Sequence, residues 1–226
     1  QQLLKDYHAE TLHETIPNFH NTEDRLKKFK EAVQADKLGR AAECGAEIDF
    51  VLAREADCSV ALNAMREGKL PLRVTHNDTK LNNVLMDEET REGVCIIDLD
   101  TVMPGLVIYD FGDSIRFGAN HSAEDEKDLS KVNLDVDLFS VYTAAFLEGA
   151  GGSLTNEEIE YLPWGAKLMT LECGIRFLTD YLDGDHYFHI SREAQNLDRS
   201  RTQFKLVSDM EAHWAELEAI VRQYQK

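Results

Sequence analysis

His76-Asn-Asp78-Thr-Lys80-Leu-Asn-Asn83 crowds acids, amides and a lysine into eight residues, and Asp98-Leu-Asp100 follows a short way downstream. The first string has the pattern HxDxxxxN. In it a loop Asp can accept a hydroxyl proton, while the Asn five residues later turns its carbonyl oxygen to a divalent cation. Asp98, at the end of an apolar run, supplies the second oxygen ligand. Phosphoryl transfer needs such a set because the moving group passes through a loose, highly charged transition state: Mg²⁺ neutralises the charge and the Asp orients the attacking hydroxyl. Oxygen donors of this kind suit Mg²⁺, which keeps waters and takes few protein ligands. Either string alone is a weak signal, since loop Asp and Asn commonly cap turns and a His beside a strand commonly braces backbone. Their order along the chain, with an apolar strand between them, folds a catalytic loop against a metal loop.

The surrounding pattern explains how these residues are mounted. Arg73-Thr75, Val84-Met86 and Val94-Ile97 read as three short strands, the last two joined by the polar turn from Asp87 to Gly93. Before them the chain reads as helix: one from Thr22, and a second amphipathic run from about Arg40 to Met65 that stops at Gly68 and Pro71. From Asp110 the reading is helical again. One helix spans Asp135 to Glu148 and closes at Gly149-Ala-Gly-Gly152. Thr155-Asn-Glu-Glu158 is a capping box that opens a segment interrupted at Pro163 and continuing to Leu182, and a last helix covers Arg199 to Tyr224. Trp164 and Trp214 fit the core better than a sugar-stacking platform. The expected fold is α+β with a helical majority.

Composition narrows the partners. The 226 residues carry 42 acidic against 24 basic side chains, a formal charge of −18 without a basic run, which argues against nucleic-acid or anionic-membrane binding. Four cysteines without a CxxC pair (Cys44, Cys58, Cys95, Cys173) and no span-length apolar run lead to the expectation of a cytoplasmic protein with reduced thiols. Oligomeric state leaves no mark on the sequence.

RVTHNDTKLNNVLMD, followed by CIIDLDTVMPGLVIYDFGDSIRFGAN, resembles the core of the aminoglycoside phosphotransferase and choline kinase superfamily, which shares the protein-kinase fold. HNDTKLNNVL, IDLDTVMPG, GDSIRFGA and ECGIRFLTDYLDGDHYF are most similar to the N-acetylhexosamine 1-kinases. The resemblance implies ATP as co-substrate and Mg²⁺ as cofactor, with a small sugar as acceptor. Asp78 would take the proton of the anomeric hydroxyl, Asn83 and Asp98 would hold Mg²⁺, and Asp100 would assist as ligand or neighbour. It also implies that His76 braces the loop, that Lys80 offsets charge on the transferring phosphoryl, and that Arg176 and Tyr187 contact the sugar. For Lys80 a solvent-facing loop position is the alternative, and for Arg176 an ion pair with Glu172 four residues earlier. Asp113 and Arg116 could brace the metal loop.

The chain departs from a complete enzyme of this kind, because no glycine-rich phosphate loop and no strand lysine precede the catalytic string. Residues 1–226 are therefore expected to be the C-terminal lobe of a longer phosphotransferase, with little turnover alone. A haloacid-dehalogenase-type phosphatase fits poorly, since Val102 stands where that family needs Thr; a calcium loop fails at Val102 and Met103. A choline- or aminoglycoside-type acceptor, or a non-catalytic kinase-like module, remains as an alternative.

Overall fold

The computed structural model describes residues 4–225. Helices dominate it: α1 (Thr22–Ala35), α2 (Gly45–Leu52), α3 (Val60–Arg66), α4 (Val107–Gly118), α5 (Val136–Ala150), α6 (Asn156–Glu160), α7 (Leu162–Asp183), α8 (Gln195–Ala212) and α9 (Trp214–Arg222). Four three- or four-residue strands, β1 (Arg73–Thr75), β2 (Val84–Met86), β3 (Gly93–Ile96) and β4 (Met103–Gly105), form two antiparallel pairs, β1 with β4 and β2 with β3. The α+β reading with a helical majority holds. No helix among the described residues is long and apolar enough to cross a membrane.

Helix α7 is the axis of the molecule. Its N-terminal half joins Ile108, Phe111 and Ile115 of α4 and Phe139 of α5 in one core; its C-terminal half, with Leu171, Ile175 and Leu178, packs with Phe29 of α1 and Phe204 of α8 in a second. The α4–α7 crossing is a backbone contact. A Cβ on Gly112 would collide with the Gly165 carbonyl, and one on Gly165 with the Ile108 carbonyl, so only glycine permits this spacing. That closeness brings Asp110 and Asp113 of α4 and Glu172 of α7 into one region.

Several elements differ from the sequence expectation. Strand β4 has no counterpart in it: Met-Pro-Gly reads as a turn, yet Pro104 pairs with Val74 and Gly105 lies flat against the Thr75 side chain, where a Cβ would not fit. The run from Arg40 to Met65 is four short pieces, two of them 3₁₀ turns at Ala41–Glu43 and Glu55–Ser59. The helix placed from Asp110 begins at Val107. The final helix starts at Gln195 and breaks at His213, where the bend sets Trp214 edge-on to Trp164 at 5.0 Å. No Gly or Pro marks that break.

The Thr155–Glu158 capping box is present at α6, and Asp135 caps α5, which ends at a left-handed Gly151. Glu158 does more than cap. Its fully buried carboxylate also receives the Arg73 guanidinium, 2.5 and 2.7 Å away, and so ties β1 to α6 just before the catalytic string.

Candidate active site

The loop from His76 to Asn83 hangs between β1 and β2 and is clamped from below by α4. Asp110, buried in the first turn of that helix, accepts the backbone N–H of His76 (3.0 Å) and of Asn77 (2.7 Å), one on each oxygen. Burial pushes the Asp110 carboxyl upward, and the two N–H donors oppose the shift. Thr79 donates to the Asp110 carbonyl and Ser114 to the Thr79 carbonyl, fixing the middle of the loop.

Asn77 adopts a left-handed backbone, φ 66°, a conformation that Asn tolerates better than most residues. Its side chain is buried, donating to the Thr101 carbonyl and accepting from Thr75 Oγ1. This turn sends Asp78 outward. His76 then stabilises the result: its Nε2–H donates to the Ile97 carbonyl (3.0 Å) and its Nδ1 accepts the Asp78 N–H (3.3 Å), an arrangement that requires a neutral ring.

Asp78 Oδ2 accepts from Lys80 Nζ (2.7 Å) and from Asn83 Nδ2 (2.9 Å), and Asn83 Nδ2 also donates to the Asp78 carbonyl. With its amide nitrogen committed to Asp78, Asn83 has its carbonyl oxygen left as a donor to a cation. The Ile97 N–H donates to the backbone carbonyl of Asn83 (2.9 Å), not to its side chain, so the two loops are stitched together at the residue before Asp98. Asp98 is exposed, with a left-handed backbone at φ 65°. Asp100 follows in a 3₁₀ turn, Leu99–Thr101, also exposed, and its carbonyl accepts from Thr15. Among the described residues no group of three or more His, Cys, Asp or Glu could enclose a metal. The donor set of Asn83 and Asp98 nevertheless fits Mg²⁺, which is commonly held by one or two protein oxygens with phosphate and water completing its shell.

On its inner side Asp78 borders a cavity of about 60 Å³ lined also by His20, Asp113, Arg116, Glu172, Cys173 and Arg176. Arg176 does not pair with Glu172. Its guanidinium lies over the Tyr187 and Phe188 rings at 5.6 and 5.3 Å and reaches the Tyr187 hydroxyl at 3.3 Å. The Tyr187 loop is held by Asp180, whose carboxylate accepts the N–H groups of His186, Tyr187 and Phe188. Arg116 binds Asp113 rather than the metal loop.

Glu172 pairs instead with His20, a residue that no motif or spacing singles out. His20 Nδ1 faces Glu172 Oε1 (3.2 Å) and Nε2 faces the Asn77 carbonyl (2.8 Å). Both partners are acceptors, so the ring that satisfies them is the doubly protonated cation. Burial by itself would depress this imidazole; the Glu172 charge, with the hydrogen bonds to Glu172 and Asn77, outweighs it and the net shift is upward. Burial pushes the Cys173 thiol up to about 11, leaving it neutral in this setting. No spacing rule reaches from residue 20 to residue 172; Asp110 was legible only as a helix start.

A sequence model described as "Phosphotransferase enzyme family" matches residues 1–138. That span contains the catalytic string, the metal loop and α4, and it stops before α7. With the Asp78 loop clamped on a helix, a paired amide and an acidic loop beside it, the chain belongs to the phosphotransferase enzyme family, within the aminoglycoside phosphotransferase and choline kinase superfamily.

Proposed function

We propose that the protein is the acceptor- and metal-binding lobe of an ATP- and Mg²⁺-dependent sugar kinase, acting on the anomeric hydroxyl of an N-acetylhexosamine. The observation that carries this reading is the asymmetric use of Asp78. Lys80 and Asn83 both donate to Oδ2, which leaves Oδ1, on a residue bordering the cavity, to receive a hydroxyl proton. The acceptor oxygen would attack the γ-phosphorus of ATP as its proton passes to Asp78 Oδ1, and the bond to the β-phosphate oxygen would break to release ADP. Asn83 and Asp98 would hold Mg²⁺, with Asp100 beside them; bound there, the ion supplies charge neutralisation on the phosphates. Lys80 would orient Asp78 through their hydrogen bond and offset charge on the transferring phosphoryl, and His76 fixes the loop on which both stand. Arg176 and Tyr187 would meet the sugar at the outer edge of the cavity.

The charge around the cavity favours a neutral acceptor over choline or an aminoglycoside. Asp78, Asp113 and Glu172 are matched by Arg116, Arg176 and the His20 cation, so the wall carries no excess negative charge despite the −18 of the whole chain. The lobe assignment is supported by the β2–β3 hairpin and the turn that follows it. Leu85, Met86, Val94 and Ile96 of the hairpin and Leu99 of the turn are all about half exposed or more, apolar surface suited to being covered by nucleotide and a second lobe.

The test is an acceptor panel with ATP and Mg²⁺, using the enzyme supplied with a nucleotide lobe. Asp78→Asn should fold normally and lose about 10²- to 10⁴-fold in turnover, as expected for a general base. Turnover that survives this substitution would falsify the assignment of Asp78. Activity confined to choline or aminoglycosides would replace the sugar reading, and an intact protein inert to every acceptor would make it a binding module.

A further inference from the structure

Two carboxylates beside Asp78 are each only half satisfied. Glu172, on α7 and 2% exposed, gives Oε1 to His20 with Arg25 Nε 4.0 Å away, while its Oε2 has no hydrogen-bond partner. Asp113, on α4 and 7% exposed, gives Oδ1 to both Nε (3.0 Å) and a terminal nitrogen (2.8 Å) of Arg116, while its Oδ2 has none. Both residues line the cavity that Asp78 and Arg176 border.

Buried carboxylate oxygens are rarely left without donors, because losing water's hydrogen bonds without replacement is costly. Both belong to residues that line one small cavity, and its size and charge specify what could relieve them. The occupant must bring at least two hydrogen-bond donors and no negative charge. A cation is disfavoured as well, because the wall is already balanced and a further buried charge would have no counter-ion. At about 60 Å³ the space admits roughly two water-sized groups, the hydroxylated edge of a ring rather than a whole ring. The rest of the ring would lie outward over Arg176, toward Tyr187.

We propose that Glu172 and Asp113 are the specificity-determining residues for the acceptor, their unpartnered oxygens accepting two hydroxyl hydrogens of the sugar away from the reacting position. His20 is then a positioning residue: it holds Glu172 Oε1 and the Asn77 carbonyl at once, and so couples acceptor recognition to the catalytic loop. The assignment rests on the sugar-kinase reading above.

Binding to the full chain tests it without any need for turnover. N-acetylglucosamine, N-acetylgalactosamine and their 3-, 4- and 6-deoxy analogues would be titrated by NMR against the unmodified protein, Glu172→Gln and Asp113→Asn. We expect each substitution to weaken the parent sugar by about tenfold or more, the scale of a hydrogen bond to a charged group. For each variant, one deoxy analogue should bind weakly to the unmodified protein and no more weakly to that variant, which identifies the hydroxyl that is read. The deoxy series on the unmodified protein stands even if a variant fails to fold. Parent and deoxy sugars binding the unmodified protein equally would overturn the assignment while leaving the sugar reading intact. Absence of binding by every hexosamine would remove the sugar reading and this assignment together.

Discussion

At Asp78 the two carboxylate oxygens have different surroundings, and the same division recurs at Asp113 and Glu172. In each case one oxygen is fixed by a cation or amide of the protein and the other is left over. Fixing one oxygen restricts the rotamer, so the second is aimed without further ordering when a ligand arrives. The His20–Glu172 pair gives this a pH signature. The folded pKa of His20 lies above the ordinary 6.5, so the stability it contributes is complete below that value and is lost as pH rises through the higher folded one. An NMR titration should place the His20 midpoint above 6.5, and Glu172→Gln should lower it, because burial is then opposed only by the Asn77 carbonyl and the Asp113 charge. A midpoint unmoved by Glu172→Gln would contradict the pairing. The thermal midpoint of the unmodified protein should fall across that pH window, and that of the variant should change less.

The elements differ in how much of themselves they announced. Asp78, Asn83 and Asp98 were legible because their relation is local: a loop of fixed length between strands, followed by a hairpin whose turn chemistry is explicit in the sequence. The capping box at Thr155 was legible for the same reason. Strand β4 was not, since Met-Pro-Gly is a strand only because β1 lies beside it, and the break at His213 exists because Trp214 turns to meet Trp164. Pairings such as Arg73 with Glu158, 85 residues apart, and His20 with Glu172, 152 apart, follow from tertiary packing alone. The α4–α7 crossing belongs to this class and carries its own prediction. Gly165→Ala should cost about 1–3 kcal/mol by overpacking, read as a lowered melting temperature, since the new methyl meets the Ile108 carbonyl rather than a side chain that could move aside. A melting temperature equal to that of the unmodified protein would show that the helices separate freely.

For the molecule as a whole, the distribution of charge matters more than its sum. A formal −18 spread over the surface attracts cations from a distance, whereas the cavity wall at Asp78 is balanced. These two fields respond differently to salt, because exposed charges are screened within about 10 Å at 0.1 M and about 3 Å at 1 M. Affinity for a neutral hexosamine should therefore stay flat as salt is raised, while any weak attraction of choline should fade. Calorimetric titrations at low and high salt would check this; a hexosamine affinity that collapses with salt would mean that the acceptor is held by surface charge and not in the cavity.

The contact between Gly112 and Gly165 has a consequence for how such a protein could change its diet. Asp110, which grips the His76–Asn83 loop, and Asp113, which lines the cavity, stand on one helix; Glu172 stands on the other, and two missing methyl groups set the gap between them. That gap works as a gauge block. On the sugar-kinase proposal, a side chain added there would widen the cavity and tilt Asp78 in a single movement, so a new acceptor preference could arise from positions outside the cavity.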